Sequence, residues 1–106
     1  MGRHRRIESG VLSVIKSFKC DETEKMFEGL RSKDFPYEIQ TRIVRKLTAI
    51  NTVKDVNDLK IPIGNRLEKL SGNREGQYSI RINDKFRICF EFYENNAYEV
   101  EVVDYH

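Results

Sequence analysis

Apolar residues recur along the chain with two different periods, and the switch between them divides the sequence. After Phe35-Pro36, the residues Ile39, Ile43, Leu47 and Ile50, with Val44 beside them, are spaced three and four apart, which predicts a helix with proline in its first turn and one face packed on a sheet. A shorter helix is expected before it, capped by Asp21 or Thr23 and closed by Gly29, because a glycine supplies the left-handed residue just past a helical end. Val14-Ile15-Lys16-Ser17-Phe18 has apolar residues on both sides of an extended chain and predicts an opening strand, central or buried on both faces. From Thr52 to Gly64 polarity is mixed and Pro62 interrupts, so this stretch is expected to cross the surface with at most a helical turn.

Beyond Asn65 the period becomes two. Strands are expected at 77–83, 86–93 and 98–103, and Ser71-Gly72-Asn73-Arg74-Glu75-Gly76 reads as a turn ahead of them. An opening strand, two helices and an antiparallel run of strands make an α+β domain, with the helices on one face of the sheet. The other face is then free for chemistry.

Alternation places Tyr78, Ile80 and Ile82 on one side of their strand, and Phe86, Ile88, Phe90 and Phe92 on one side of the next. Both sets must face one core, so Ile82 pairs with Phe86 and Asn83-Asp84-Lys85 forms a three-residue loop. That register sets Arg81 opposite Arg87 and Ser79 opposite Cys89. Like charges directly across a sheet are unfavourable unless compensated. A phosphodiester held by two guanidinium forks is one compensation. A surface network with Glu68, Glu91 or Glu99 is the other. In the last strand, Val100 and Val102 facing the core put Tyr105 on the arginine side. His106, at the terminus, is either a frayed end or a proton-transfer group.

Composition narrows the function classes. A chain of 106 residues, 39% apolar and 34% charged, can build one core and leaves no room for separate binding and catalytic lobes. The 19 basic and 17 acidic side chains leave a net charge of only +2, so bulk charge is a weak argument for a polyanionic partner. The local distribution differs. Arg3, Arg5 and Arg6 stand against Glu8 in residues 1–13, which lack a buried period and read as a flexible extension or residues added ahead of a domain spanning 14–106. Arg66, Lys69, Arg74, Arg81, Lys85 and Arg87 outnumber Glu68, Glu75 and Asp84, whereas every charged residue after Arg87 is acidic. Arg42, Arg45 and Lys46 lie off the apolar face of the longer helix, as a solvated surface or one that receives a partner. No apolar run approaches the roughly 20 residues of a membrane-spanning helix, no leader resembles a signal peptide, and the protein is expected in the cytoplasm. Cys20 and Cys89 lack metal-ligand spacing and are expected as reduced, packed thiols, with no metal site.

Four motifs are specific when taken together. Asn65-Arg66-Leu67-Glu68, the run from Gly72-Asn73-Arg74 through Ile80-Arg81-Ile82-Asn83, Phe86-Arg87-Ile88-Cys89-Phe90 and the ending Val103-Asp104-Tyr105-His106 closely resemble the HigB branch of the RelE/ParE-like toxins. Val14-Ile15-Lys16-Ser17-Phe18 is similar to that family's opening, so the resemblance covers residues 14–106. It implies a small microbial-RNase-like domain acting as the toxin of a type II toxin–antitoxin pair, an endoribonuclease that cuts mRNA in the ribosomal A site without metal or cofactor. A HigA-like helix-turn-helix antitoxin would be its partner.

Under that resemblance, cleavage needs a base for the 2′-hydroxyl proton, an acid for the departing 5′-oxygen and positive charge on the phosphorane-like transition state. His106 could serve as acid or base, its neutral form favoured beside arginine, and Glu68 is a second proton acceptor. Arg81 and Arg87 would stabilise the transition state. Arg66, Lys69 and Arg74 would hold the RNA, and Tyr105 would donate a hydrogen bond or stack on a base. Two other roles stay open on the same fold: a ParE-like gyrase inhibitor that cuts nothing, and a degenerate toxin that only binds antitoxin.

Overall fold

The computed structural model describes residues 14–105, so the N-terminal extension and His106 lie outside the described residues. Helices α1 (Asp21–Phe27) and α2 (Tyr37–Ile50) precede strands β1 (Glu68–Lys69), β2 (Gln77–Arg81), β3 (Phe86–Tyr93) and β4 (Asn96–Asp104). The strands form one antiparallel sheet in the order β1-β2-β3-β4. The chain is the expected α+β domain. Ile39, Ile43, Leu47 and Ile50 of α2 and Met26 of α1 are buried with Ile80, Ile88 and Phe90 of the sheet. That cluster is the core, and it lies on one side of the sheet. The Thr52–Gly64 connection contributes the short 3-10 turn Val56–Lys60, whose Leu59 is buried. Among the described residues no helix is long and apolar enough to cross a membrane.

β4 carries an irregularity that decides which side chains reach each face. Cys89 pairs with Glu101 but Glu91 pairs with Tyr98, so Phe90 opposes two residues, Glu99 and Val100. Glu99 takes the left-handed conformation (φ 54°) that such a bulge requires. The extra residue reverses the parity of the strand, which lets Ala97, Val100 and Val102 all face the core. It also shifts Tyr98 to the opposite face, where its ring stacks on Tyr93 at 4.5 Å.

The bulge also explains why Val14–Phe18 does not become a strand as predicted, and why it lies at an edge rather than centrally. Only isolated parallel bridges form, Ile15 with Ala97 and Phe18 with Val100, one on each side of Glu99. A regular ladder cannot run past a kinked edge. Ala97 and Val100 still donate their N–H groups to the Val14 and Ser17 carbonyls (2.8 and 3.1 Å). The start of the segment is tied to α2 instead, since the Val14 and Ile15 N–H groups donate to Asn51 Oδ1 (3.1 and 2.9 Å).

The helix ends correct two further expectations. Cys20, not Asp21 or Thr23, is the N-cap of α1 and makes no side-chain capping bond; Asp21, Glu22 and Glu24 occupy the first turn, where acids suit the helix dipole. Pro36 is the N-cap of α2, one residue earlier than predicted. Gly29 does terminate α1 with φ 93°.

Thr23 is fully buried because its hydroxyl serves a distant strand. Its Oγ1 accepts the Val102 N–H at 3.1 Å, continuing the cover of β4's outer edge where the N-terminal segment leaves off. Thr23→Val keeps the shape and leaves that buried N–H unpaired, so the urea midpoint should fall by an amount equivalent to about 1–3 kcal/mol. Thr23→Ser, which keeps the acceptor, should cost measurably less in the same titration.

Candidate active site

The β2–β3 register is the one the alternation demands. Arg81 pairs with Arg87 and Ser79 with Cys89, and the Ile82 N–H donates to the Phe86 carbonyl at 2.9 Å across the three-residue loop. Asn83 Oδ1 fixes that loop by accepting the N–H groups of Lys85 (2.9 Å) and Phe86 (2.8 Å). On the face away from the helices β1 then brings Glu68 opposite Ser79, and β4 brings Glu101 and Val103 opposite Cys89 and Arg87.

Arg87 is the centre of this face and is only 7% exposed. Its Nε donates to Ser79 Oγ at 2.8 Å, and Nη2 donates to the Arg66 carbonyl at 2.8 Å. Glu68 Oε1 lies 3.9 Å from Nη2, and the guanidinium sits over the Tyr105 ring at 5.2 Å. The chain reaches this point because Arg66 adopts a left-handed conformation (φ 46°, ψ 56°) that ends the 3-10 turn Ile63–Asn65 and aims its carbonyl at β3. Beside the arginine, past Glu68 and Tyr105, opens a cleft of about 290 Å³, lined by Glu68, Lys69, Leu70, Ser71, Asn73, Arg74 and Tyr105. Arg87 itself is not part of the lining and meets it through Glu68 and Tyr105. Arg74 is held at its rim by Gln77 Oε1 (3.0 Å) and Glu101 Oε2 (3.1 Å). Glu101 also lies 3.8 Å from Lys19.

The structure therefore gathers Glu68, Lys69, Arg74, Arg87 and Tyr105 at one place. Arg66 joins them through its backbone, with an exposed side chain. Arg81 does not take part in a joint fork with Arg87, because its Nη2 donates to Asp84 Oδ1 in the hairpin loop. The like charges across the sheet are thus compensated separately, Arg81 by Asp84 and Arg87 chiefly by Ser79 and the Arg66 carbonyl. Neither Glu91 nor Glu99 takes the role that a surface network would give it; Glu68 does so only at 3.9 Å. Two contributors carry no such signal in the sequence. Strand parity puts Ser79 on the right face without giving it a role, and the Arg66 carbonyl offers no side-chain signal at all. Glu101 is different, since parity places it on the arginine face two residues before Val103.

Cys89 sits beneath this site as a free, buried thiol, and burial pushes its pKa up, which keeps it protonated and unreactive. Among the described residues no three His, Cys, Asp or Glu side chains gather as a metal ion would need. A larger groove, of about 480 Å³, runs between α1 and α2 past Leu30, Tyr37 and Val44, and contains none of the candidate residues.

The burial of Arg87 makes it structural as well as chemical. Arg87→Ala removes a charged donor from one buried and one partly buried acceptor and should cost about 2–3 kcal/mol in a urea titration. Arg81→Ala, which breaks a partly exposed ion pair, should cost less than about 1 kcal/mol. Equal losses for the two variants would contradict this division of roles.

Comparison with known proteins agrees with this geometry. Residues 16–106 match the model of the HigB-like toxin family, described as "RelE-like toxin of type II toxin-antitoxin system HigB". The chain is 36% identical over 93 residues to "Endoribonuclease HigB" of Proteus vulgaris, covering 88% of this chain and 100% of that one. It is 36% identical over 81 residues to "Toxin HigB-1" of Vibrio cholerae, covering 76% of this chain and 85% of that one. Among solved structures, a "YoeB-YefM complex from Staphylococcus aureus" superposes with a TM-score of 0.56 at 26% identity, over 87% of this chain and 94% of that one. With two helices on a four-stranded sheet, a cleft backed by a buried arginine on the free face and a family match that spans both, the chain belongs to the HigB-like, RelE-type toxins of type II toxin–antitoxin systems.

Proposed function

We propose that the chain is the toxin of such a pair and acts as a metal-independent endoribonuclease on mRNA in the ribosomal A site. The observation that carries the reading is the cleft in which one carboxylate, two cations and a tyrosine meet, with the buried Arg87 guanidinium directly behind the carboxylate and the tyrosine. The identity to an endoribonuclease over nearly the whole chain supports it.

In this reaction the 2′-oxygen attacks the adjacent phosphorus and the bond to the 5′-oxygen breaks, leaving a cyclic phosphate and a 5′-hydroxyl. Glu68 accepts the 2′-hydroxyl proton: it faces the cleft, half-exposed, with Arg87 behind it. His106, the residue after Tyr105, protonates the departing oxygen. Lys69 and Arg74 hold the RNA backbone, and Arg66 adds a cation beside them. Arg87 supplies positive charge from below, where low solvent access strengthens its field on the phosphorane-like transition state. Tyr105, half-exposed at the cleft wall, offers a ring for a splayed base. Arg81, held by Asp84, stands outside the cleft lining and contributes to the surrounding potential.

The partner is an antitoxin, of the HigA-like helix-turn-helix kind. Its support is the family, together with solved relatives that are themselves toxin–antitoxin complexes.

Purified chain added to a translation reaction, with 5′ ends mapped by primer extension, tests the proposal. Cuts should appear in translated mRNA and be absent from the same RNA without ribosomes. Glu68→Gln and His106→Gln, each checked for folding, should reduce cutting by about 10²–10⁴-fold. Unchanged cutting by folded Glu68→Gln would remove it as the base. Equal cutting of free RNA would remove the ribosome requirement.

A further inference from the structure

A lysine and an asparagine outside the cleft account for the unusual turn on which Arg87 depends. Asn65 is 1% exposed, and its amide is fully engaged: Nδ2 donates to the Leu59 and Ile61 carbonyls (3.0 and 3.4 Å), and Oδ1 accepts from Lys46 Nζ. Its backbone N–H donates to the Pro62 carbonyl at 2.9 Å. Asn65 is thus pinned on every side. The next residue is Arg66, left-handed without being glycine, a conformation that persists only where the surroundings over-determine it. The pinned asparagine on one side and the Arg87 bond on the other supply that determination.

Lys46 is an odd residue to find in this role. It projects from α2, a helix whose other cations, Arg42 and Arg45, are exposed. Partial burial depresses its pKa, and Arg42, Arg45 and Arg81 push in the same direction. The hydrogen bond it makes goes to a neutral amide rather than a carboxylate. A position chosen for stability alone would favour an uncharged side chain or an acidic partner. What the ammonium does here is orient the Asn65 amide, because only the carbonyl end of that amide can face a donor that has no acceptor.

We propose that Lys46 and Asn65 are positioning residues of the ribonuclease site, fixing the Arg66 carbonyl and through it the Arg87 guanidinium. This rests on the reading of the cleft given above, and the experiment separates the two. Lys46→Met keeps the aliphatic stem and removes the ammonium; Asn65→Asp keeps an acceptor for Lys46 but removes both donors. Arg45→Met removes an equal charge from the same helix without removing any hydrogen bond of the network, and by relieving repulsion it favours the charged form of Lys46.

Two measurements are made on each variant, in samples shown by circular dichroism to be folded. The first is the Arg87 side-chain Nε–H resonance by ¹⁵N NMR, which reports the Ser79 and Arg66 contacts without any substrate. The second is single-turnover cleavage of ribosome-bound mRNA across toxin concentrations. Lys46→Met and Asn65→Asp should shift or broaden the Arg87 resonance and lower the cleavage rate constant about ten- to a hundredfold, with the half-saturating concentration unchanged. Arg45→Met should leave both the resonance and the rate constant as they are. A wild-type resonance in folded Lys46→Met, or a displaced resonance with a wild-type rate constant, overturns the proposal. If the wild-type chain itself cuts nothing, the ribonuclease reading falls, and the resonance alone still decides whether the network positions Arg87.

Discussion

A guanidinium cannot shed its proton to escape burial, so a sheet that buries one must bring acceptors to it. Arg87 imposes that requirement on the whole molecule. Ser79 on the neighbouring strand satisfies Nε, which works only if β2 and β3 keep the register that pairs Ser79 with Cys89. The Arg66 carbonyl satisfies Nη2, which forces the chain into a left-handed turn just before β1. Tyr105 lays its ring alongside, which draws the end of β4 to the same spot. Three segments distant in sequence therefore converge because one cation needs partners, and the cleft opens beside them, walled by Tyr105 and the β1 residues that follow Arg66.

The two faces of the sheet solve different problems with the same strands. One face is apolar where it packs against α2, with Ile80, Ile88 and Phe90 excluded from solvent. The other keeps charged groups but pairs them, so that few stand alone. The β4 bulge makes this division possible at the far edge, since a regular strand would turn either Ala97 or Val100 and Val102 out of the core. The same kink limits the pairing of the opening segment, and Thr23 covers the edge donor that the segment cannot reach.

What the sequence discloses and what it conceals follow from the range of each interaction. Strand alternation has a period of two, so the pairing of Arg81 with Arg87, the loop at Asn83-Asp84-Lys85 and the side taken by Tyr105 are all readable. The long amphipathic helix is equally plain. The opening segment escapes such a reading because its pairing depends on a bulge in a strand at the other end of the chain, which leaves no mark in residues 14–18. The N-cap of α1 escapes it because Thr23, an ordinary capping residue by type, is taken by a distant backbone N–H. Glu68, Lys69, Arg74, Arg87 and Tyr105 follow from motif and parity. Their common support does not, since a backbone carbonyl and a buried amide become visible only when the chain is folded.

Net charge adds a final constraint on how such a surface can meet RNA. At +2 the chain has little long-range pull on a polyanion, and its acids are not confined to the far side. Glu101 sits on the cleft face itself, yet it holds Arg74 at the cleft rim and lies within 3.8 Å of Lys19. Asp84 holds Arg81 in the same way. Acids placed like this subtract from bulk attraction while fixing the direction in which each cation points. Recognition then depends on where a few fixed charges stand rather than on how many there are, and a phosphate is bound well only when its own geometry is presented correctly. Under the proposed reading, a substrate already held in shape by a larger assembly meets that condition better than a free strand, whose ordering would have to be supplied by the weak field of this small domain.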